Sequence, residues 1–149
     1  PLSGTDQYQY ISSEHSGYGS LEAIDYLKQM SKDKKVAVFT TSNWGVPDDC
    51  VTLYLSGSPN IDIFMGFWAF KKPLLPPDME SFDLYDKFTA KHLGKFSVQD
   101  LPQDVYFITR TPSVSRSFFL GMNDNFQLIQ SFRKPIGTNT IDIYKLIRP

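Results

Sequence analysis

The feature that most constrains the fold is a short, unbroken apolar run, Val36-Ala37-Val38-Phe39. Charged residues from Lys32 to Lys35 precede this run, and a polar loop from Thr40 to Gly45 follows it. An apolar run of this length between two turn signals is typical of a strand that is buried on both faces. The sequence therefore predicts a sheet that carries packed layers above and below this strand.

The segments around this run predict two helices and a second strand. Ser20 can cap a helix from about Leu21 to Ser31, whose apolar residues recur at helical spacing. A second helix is expected from about Val46 to Leu55, because Pro47 suits a first helical position. Apolar residues alternate from Asn60 to Gly66, which predicts a strand. Two parallel strands joined by a helix form a βαβ unit, and the loop after the first strand then lies at the carboxyl edge of the sheet, where ligands usually bind.

The rest of the chain predicts a surface loop, one more helix and three strands. The aromatic and proline-rich segment Phe67 to Pro77 is interpreted as a packed surface loop. We expect a helix over Phe82 to Leu93 and a strand over Val105 to Thr109. Two further strands, Phe126 to Phe132 and Ile141 to Ile147, are separated by a segment that contains the Pro and Gly of a hairpin turn.

These elements predict an α/β fold. We expect a single-domain mixed sheet with an early parallel βαβ unit, a C-terminal antiparallel hairpin and flanking helices. The length of 149 residues fits one domain. Residues 1–19 are expected to form an extended lead-in from a membrane portion, and residues 20–149 the α/β domain. Pro1 in place of Met favours a processed product or an excised piece, and no apolar stretch reaches the roughly 20 residues that span a bilayer.

Charge and composition exclude several classes of function. The chain carries 15 Lys and Arg against 16 Asp and Glu, without a long block of either sign, which argues against a nucleic-acid partner. Cys50 is the single cysteine, so no intramolecular disulfide can form. Only His15 and His92 could supply imidazole to zinc, which would require an unusual ligand set. We therefore expect no metal site and no cofactor.

Catalytic motifs of the common kinds are absent from the sequence, including the P-loop, GxGxxG, HExxH, CxxC and GxSxG patterns. Asp48 and Asp49 fit the positive end of a helix dipole better than a catalytic pair. Cys50 is interpreted as a buried structural thiol, and His15 and His92 as surface or structural residues. The sequence therefore predicts no catalytic residue.

Four residues are candidates for contact with a ligand or an acceptor. Asn43 and Trp44 lie in the polar loop after the first strand, where an amide and an indole can bind and stack on a sugar. Tyr18 lies between two glycines that can hold its ring against a surface. Trp68 belongs to an aromatic stripe that can serve as a docking face. For each of them a purely structural role is the alternative.

The order of several short segments resembles the soluble tail of bacterial membrane glycosyltransferases in the dolichyl-phosphate-mannose protein mannosyltransferase superfamily. Each segment is loose by itself, and the resemblance depends on their order along nearly the whole chain. The segments are Asp6-Gln7-Tyr8-Gln9-Tyr10, Gly17-Tyr18-Gly19, Glu22-Ala23-Ile24-Asp25-Tyr26-Leu27, Val36-Ala37-Val38-Phe39, Asn43-Trp44-Gly45, Leu53-Tyr54-Leu55, Phe67 to Pro76, Asp104-Val105-Tyr106-Phe107-Ile108-Thr109, Ser131-Phe132-Arg133-Lys134-Pro135-Ile136-Gly137 and Ile141-Asp142-Ile143-Tyr144-Lys145-Leu146.

The resemblance implies a function and a location. The parent would be a polytopic membrane enzyme that transfers a sugar from a polyprenyl-phosphate donor to an acceptor on the extracytoplasmic (periplasmic) side. This chain would be its noncatalytic C-terminal soluble domain, since the family's catalytic carboxylate lies in a loop between membrane helices. Its partners would be its own N-terminal transmembrane region and a glycan, a lipid-linked sugar or an acceptor protein.

Two functions of other classes stay open at this point. The chain can be a free-standing sugar- or nucleotide-binding α/β module that uses the same carboxyl-edge loop. It can also be a small hydrolase or transferase that uses His15 or Asp48, although catalysis requires a mutually oriented set of groups and the sequence shows none.

Overall fold

The computed structural model describes residues 3–7, 17–40, 48–65, 82–86, 91–96, 101–111, 116–117, 120 and 126–148. Within these residues the chain forms three helices and seven strands. The helices are α1 (Gly4–Gln7), α2 (Ser20–Met30) and α3 (Asp48–Leu55), and the strands are β1 (Val36–Thr40), β2 (Ile61–Met65), β3 (Phe82–Asp86), β4 (Lys91–Phe96), β5 (Asp104–Arg110), β6 (Phe126–Arg133) and β7 (Thr140–Leu146). None of the described helices has the length and apolar character needed to cross a membrane.

Five strands form one mixed sheet in the order β2-β1-β5-β7-β6. β1 pairs in parallel with β2 on one side and with β5 on the other. β7 pairs antiparallel with β5 and with β6. The predicted α/β class is confirmed: β1, α3 and β2 form the early parallel βαβ unit, and β6 and β7 form the C-terminal antiparallel hairpin.

Apolar side chains cover both faces of this sheet. Helices α2 and α3 pack on one face and contribute Ala23, Ile24, Leu27, Val51 and Leu55 to a core that we call the helix-side core. The strand residues of the helix-side core are Val36, Val38, Ile61, Tyr106, Ile108, Ile141 and Ile143. The opposite core consists of Ala37, Phe39, Phe64, Leu101, Val105, Phe107, Phe126, Tyr144 and Leu146. All five residues of β1 are buried, as the apolar run predicts for a strand covered on both faces.

Helix α2 begins differently from the sequence prediction. Ser20 is not the cap: the N-cap is Gly19, which has a φ of 83° and gives no side-chain hydrogen bond. Ser20 is the first helical residue, and its buried Oγ has no hydrogen-bond partner. A Cβ at Gly19 would lie 3.3 Å from the Cβ of Phe132 and 3.5 Å from Cγ1 of Ile141. A glycine is therefore required where α2 starts, both by the backbone conformation and by the close approach to β6 and β7.

The predicted helix over Phe82 to Leu93 is wrong. This segment contributes to β3 and β4, which pair antiparallel in a separate two-stranded sheet, with a register irregularity between Leu84 and Tyr85. The physical reason lies in the sequence: apolar Phe82 and Leu84 flank Asp83, an alternation with the period of a strand, and aromatic residues favour strands. The surface loop predicted over Phe67 to Pro77 lies outside the described residues.

An ion-pair group ties three strands together at the amino edge of the sheet. The Asp104 carboxylate, at the start of β5, pairs with Lys34, which precedes β1, and with Lys145 on β7. Burial would raise the pKa of Asp104, but hydrogen bonds from Lys145 and Lys34 outweigh burial and hold that pKa below its usual value. This group therefore stabilises the register of the central strands.

We predict that Gly19→Ala lowers the free energy of unfolding by about 1–2 kcal/mol. The left-handed backbone conformation is unfavourable for alanine, and the added Cβ contacts Phe132 too closely. The control is Gly17→Ala, where an added Cβ has no heavy atom within 4 Å. That control should change stability by less than about 0.5 kcal/mol. Urea denaturation followed by circular dichroism measures both, and equal stability of the two variants would contradict the packing argument.

Candidate functional site

The topology places a switch point at the carboxyl edge of the sheet. The parallel strands β1 and β5 lie side by side, and their register pairs Thr40 with Ile108. From its carboxyl end β1 connects through α3 to β2 on one side, whereas the chain after β5 passes to β6 on the other. Such a point, where the connections leave in opposite directions, is where open α/β sheets usually bind ligands.

A polar group lies at this edge, on the face of the opposite core. Its centre is Asp142, the third residue of β7, whose side chain is 0% exposed. Arg116 forms a bidentate ion pair with this carboxylate: Nε donates to Oδ2 at 2.6 Å and Nη2 donates to Oδ1 at 2.8 Å. The Ser131 hydroxyl donates to Oδ1 at 2.7 Å, and the Tyr144 hydroxyl lies 3.4 Å from Oδ2.

Two threonines extend this group to the end of β5. The hydroxyls of Thr111 and Thr140 are 2.8 Å apart, and the backbone N–H of Thr140 donates to Thr111 Oγ1 at 2.9 Å. Nη2 of Arg116 lies 3.4 Å from Thr140 Oγ1. We call the set Thr111, Arg116, Ser131, Thr140 and Asp142 the carboxyl-edge cluster.

The charge of Asp142 is stabilised by its neighbours. Burial alone would raise the pKa of this carboxyl group, but hydrogen bonds from Arg116, Ser131 and Thr140, together with the charge of Arg116, outweigh burial and lower the pKa below its ordinary value. In return the hydrogen bond to Asp142 raises the pKa of Arg116. Burial raises the pKa of the Tyr144 hydroxyl, and the negative charge of Asp142 raises it further. Asp142 is thus ionised at neutral pH, and Tyr144 is neutral.

This arrangement makes Asp142 a positioning group. Its two oxygens are occupied by donors and its side chain is shielded from solvent, so it is a poor acceptor for a substrate proton. Its effect is to fix the guanidinium of Arg116, whose side chain is 44% exposed. The cluster therefore presents an oriented cation and hydroxyl groups, which can bind an anion or a polar sugar.

One hydroxyl beneath the cluster is unsatisfied. Thr109 lies opposite Asp142 in the register of β5 and β7. Its Oγ1 is buried and has no hydrogen-bond partner among the described residues. A buried hydroxyl without a partner costs about 1–3 kcal/mol, and groups of this kind concentrate at functional sites. The Thr109 hydroxyl, next to Asp142, therefore has a hydrogen bond still to make.

Three more cationic residues lie at or just after the ends of β5 and β6 at this edge, and they differ in exposure. Arg110, at the end of β5, and Lys134, after β6, are both buried. Arg133 is exposed, and its Cα pairs with that of Thr140. Side chains alternate along a strand, so Arg133 lies on the same face as Ser131 and hence next to the cluster. Arg116 and Arg133 are therefore the described cations that a ligand in solution can reach on this face.

The sequence-based candidates are only partly covered by the structure. Tyr18 is 47% exposed and immediately precedes the Gly19 cap of α2. Asn43, Trp44 and Trp68 lie outside the described residues, so their roles stay predictions. In the part of the chain that is described, no hydrogen bond or ring contact joins Tyr18 to the carboxyl-edge cluster.

Two residues among the catalytic and metal-ligand candidates, Cys50 and His92, lie on different elements, α3 and β4. Cys50 is half-buried and packs against the helix-side core, which fits a structural thiol. His92 lies in β4 rather than in a helix, and His15 lies outside the described residues. Among the residues that the structure describes, no group of three or more His, Cys, Asp or Glu side chains is arranged to hold a metal ion.

The residues of the cluster were missed by the sequence analysis. Asp142 carries a weak signal, since a carboxylate between Ile141 and Ile143 stands in the middle of an apolar strand and needs a partner when buried. Arg116 carries none, because its pairing with Asp142 spans 26 residues and depends on the fold.

Comparison with known proteins adds no further constraint: no family model, no curated protein and no solved structure matches the chain.

We predict that Asp142→Asn lowers the free energy of unfolding at pH 7 by about 2 kcal/mol, the scale of a hydrogen bond to a charged group. The folded pKa of Asp142 is depressed, so its contribution is complete above the unfolded pKa of about 3.9 and disappears as the pH falls toward the folded pKa. The stability difference between wild type and variant should therefore shrink on acidification below about pH 4.

The measurement is urea denaturation from pH 7 to pH 2.5. Ser131→Ala, which removes one donor to the carboxylate, serves as a graded control and should show a smaller difference of the same sign. A difference between wild type and Asp142→Asn that stays constant over this range would show that the charge of Asp142 does not stabilise the fold.

Proposed function

We propose that this chain is a noncatalytic extracytoplasmic domain of a polytopic membrane glycosyltransferase, which transfers a sugar from a polyprenyl-phosphate donor to an acceptor. Within that enzyme, the carboxyl edge of the sheet contacts a glycan, a lipid-linked sugar or an acceptor protein. The partner of the domain in its own chain is an N-terminal transmembrane region. The domain lies on the periplasmic side of the cell membrane.

The observation that carries this proposal is the carboxyl-edge cluster, which lies at the same sheet edge as the carboxyl ends of the parallel strands β1 and β5. Oriented hydroxyl groups and a fixed guanidinium suit the hydroxyl-rich surface of a sugar. The polar loop that follows β1 carries Asn43 and Trp44, the two candidates with the chemistry to bind and stack on a sugar ring. The membrane enzyme is supported by the ordered resemblance of the sequence segments.

The role of the described groups supports a binding function over a chemical one. The cluster's single carboxylate is buried and saturated with donors, so it orients Arg116 instead of exchanging a proton with a substrate. We therefore assign the sugar transfer to the membrane portion of the parent and contact with the ligand to this domain.

A free-standing sugar- or nucleotide-binding module is the alternative, and the same cluster favours it. Both proposals place the ligand at the carboxyl edge, and they differ in whether a membrane region belongs to the same protein. Binding at this edge is thus common to both and can be tested directly on the chain itself.

We predict that mannose-containing oligosaccharides shift backbone amide signals at the carboxyl edge in a heteronuclear NMR titration. The affected amides should include Thr40, Thr111, Arg133 and Thr140, together with the indole N–H of Trp44. Amides at the amino edge serve as the internal control, because they lie at the other end of the same strands. Shifts confined to the amino edge, around Asp104, would refute the placement of the ligand.

A further inference from the structure

The carboxyl-edge cluster and the neighbouring Arg133 together carry a net positive charge. Arg116 neutralises the buried carboxylate of Asp142 through Nε and Nη2, and its Nη1 donates to no described residue. Arg133 lies directly opposite Thr140 on the neighbouring strand and on the same face, and it makes no ion pair with any described residue. Two exposed guanidinium groups and one buried carboxylate leave a net charge of +1 in a chain whose overall charge is −1.

The geometry around Arg116 is that of a fixed cation. A bidentate ion pair with a side chain that solvent does not reach removes the rotational freedom of the guanidinium, so a ligand does not have to order it on binding. An uncharged sugar requires no such group, because hydroxyl groups and amides satisfy it. Nε and Nη2 of Arg116 are taken up by Asp142 and Ser131, which leaves Nη1 to donate to a phosphate oxygen.

Hydroxyl groups complete the surroundings. Thr140 connects the two arginines: its Oγ1 lies 3.4 Å from Nη2 of Arg116, and its Cα pairs with that of Arg133. Thr111 and Ser131 add two hydroxyl groups at the rim, and Thr109 holds an unsatisfied hydroxyl beneath them. Because the Ser131 hydroxyl donates to Asp142 and the two threonine hydroxyls bond each other, the rim offers acceptor oxygens to the hydroxyl groups of a sugar.

We propose that Arg116 and Arg133 form a phosphate-binding site for a phosphorylated sugar, with Asp142 as the residue that positions Arg116. This proposal rests on the proposed function, since it names the ligand class of the same edge. Arg116, through Nη1, and Arg133 contact the phosphate, and the hydroxyl oxygens of Thr111, Ser131 and Thr140 accept hydrogen bonds from the adjoining sugar hydroxyls.

The test is isothermal titration calorimetry of the whole chain with mannose 6-phosphate, mannose and inorganic phosphate at low ionic strength. Mannose 6-phosphate should bind about tenfold more tightly than mannose, which is the scale of one hydrogen bond between charged groups. Arg133→Gln should weaken binding of mannose 6-phosphate by about tenfold, and Arg133→Lys should recover part of that loss. Arg133 is exposed, so neither substitution endangers the fold.

The control variant is Lys32→Gln, which removes the same charge from an exposed residue just before β1, at the amino edge. It should leave binding unchanged. Equal weakening by Lys32→Gln and Arg133→Gln would overturn the site, because the effect would then come from net charge alone. Inorganic phosphate that binds as tightly as mannose 6-phosphate would also overturn it, since the site would then hold an adventitious ion only.

The remaining outcomes separate this proposal from the broader one. Equal affinity for mannose and mannose 6-phosphate would overturn the phosphate site but leave sugar binding at the carboxyl edge intact. Absence of binding by all three compounds would overturn both the phosphate site and the role of this edge in sugar contact.

Discussion

The position of β1 is the constraint on which the rest of the structure depends. All five of its residues are buried, and it pairs in parallel on both sides, with β2 and with β5. Parallel pairing requires connections that cross the faces of the sheet, and burial on both faces requires cover on each. Helices α2 and α3 supply that cover on one face. The same pairing brings the carboxyl ends of β1 and β5 together, so the packing of the core and the place of the candidate site have one cause.

A buried charge determines the chemistry of that edge. A carboxylate shielded from water is costly unless donors surround it, and the donors to Asp142 come from a neighbouring strand and from Arg116. The hydrogen bonds to Asp142 therefore fix the position of Arg116. They also join Ser131 on β6 and Asp142 on β7 in one polar surface. This surface is formed by residues that are far apart in the sequence, and the carboxylate of Asp142 orients the guanidinium of Arg116. The structure thus favours recognition of a ligand at this edge.

How much of this was predictable depends on whether the controlling interaction is local. The apolar run from Val36 to Phe39 and the turn residues before Thr140 act over a few positions, and the parallel unit and the hairpin follow from them. The prediction of Ser20 as the helix cap was wrong, because the cap is Gly19. The close approach of Gly19 to Phe132, a tertiary interaction, determines this start. The prediction of a helix over 82–93 was wrong because it did not take account of the alternation around Asp83, which is typical of a strand. The pairing of Arg116 with Asp142 has no local signal, since the fold alone brings the two side chains together.

The most direct test of the central claim is the coding sequence upstream of Pro1, scored for segments of about 20 apolar residues. A domain of a membrane glycosyltransferase predicts several such segments, together with an acidic residue in an early extracytoplasmic loop. A start codon immediately before Pro1, with no membrane segment in the same reading frame, would contradict the glycosyltransferase and leave a free-standing binding module.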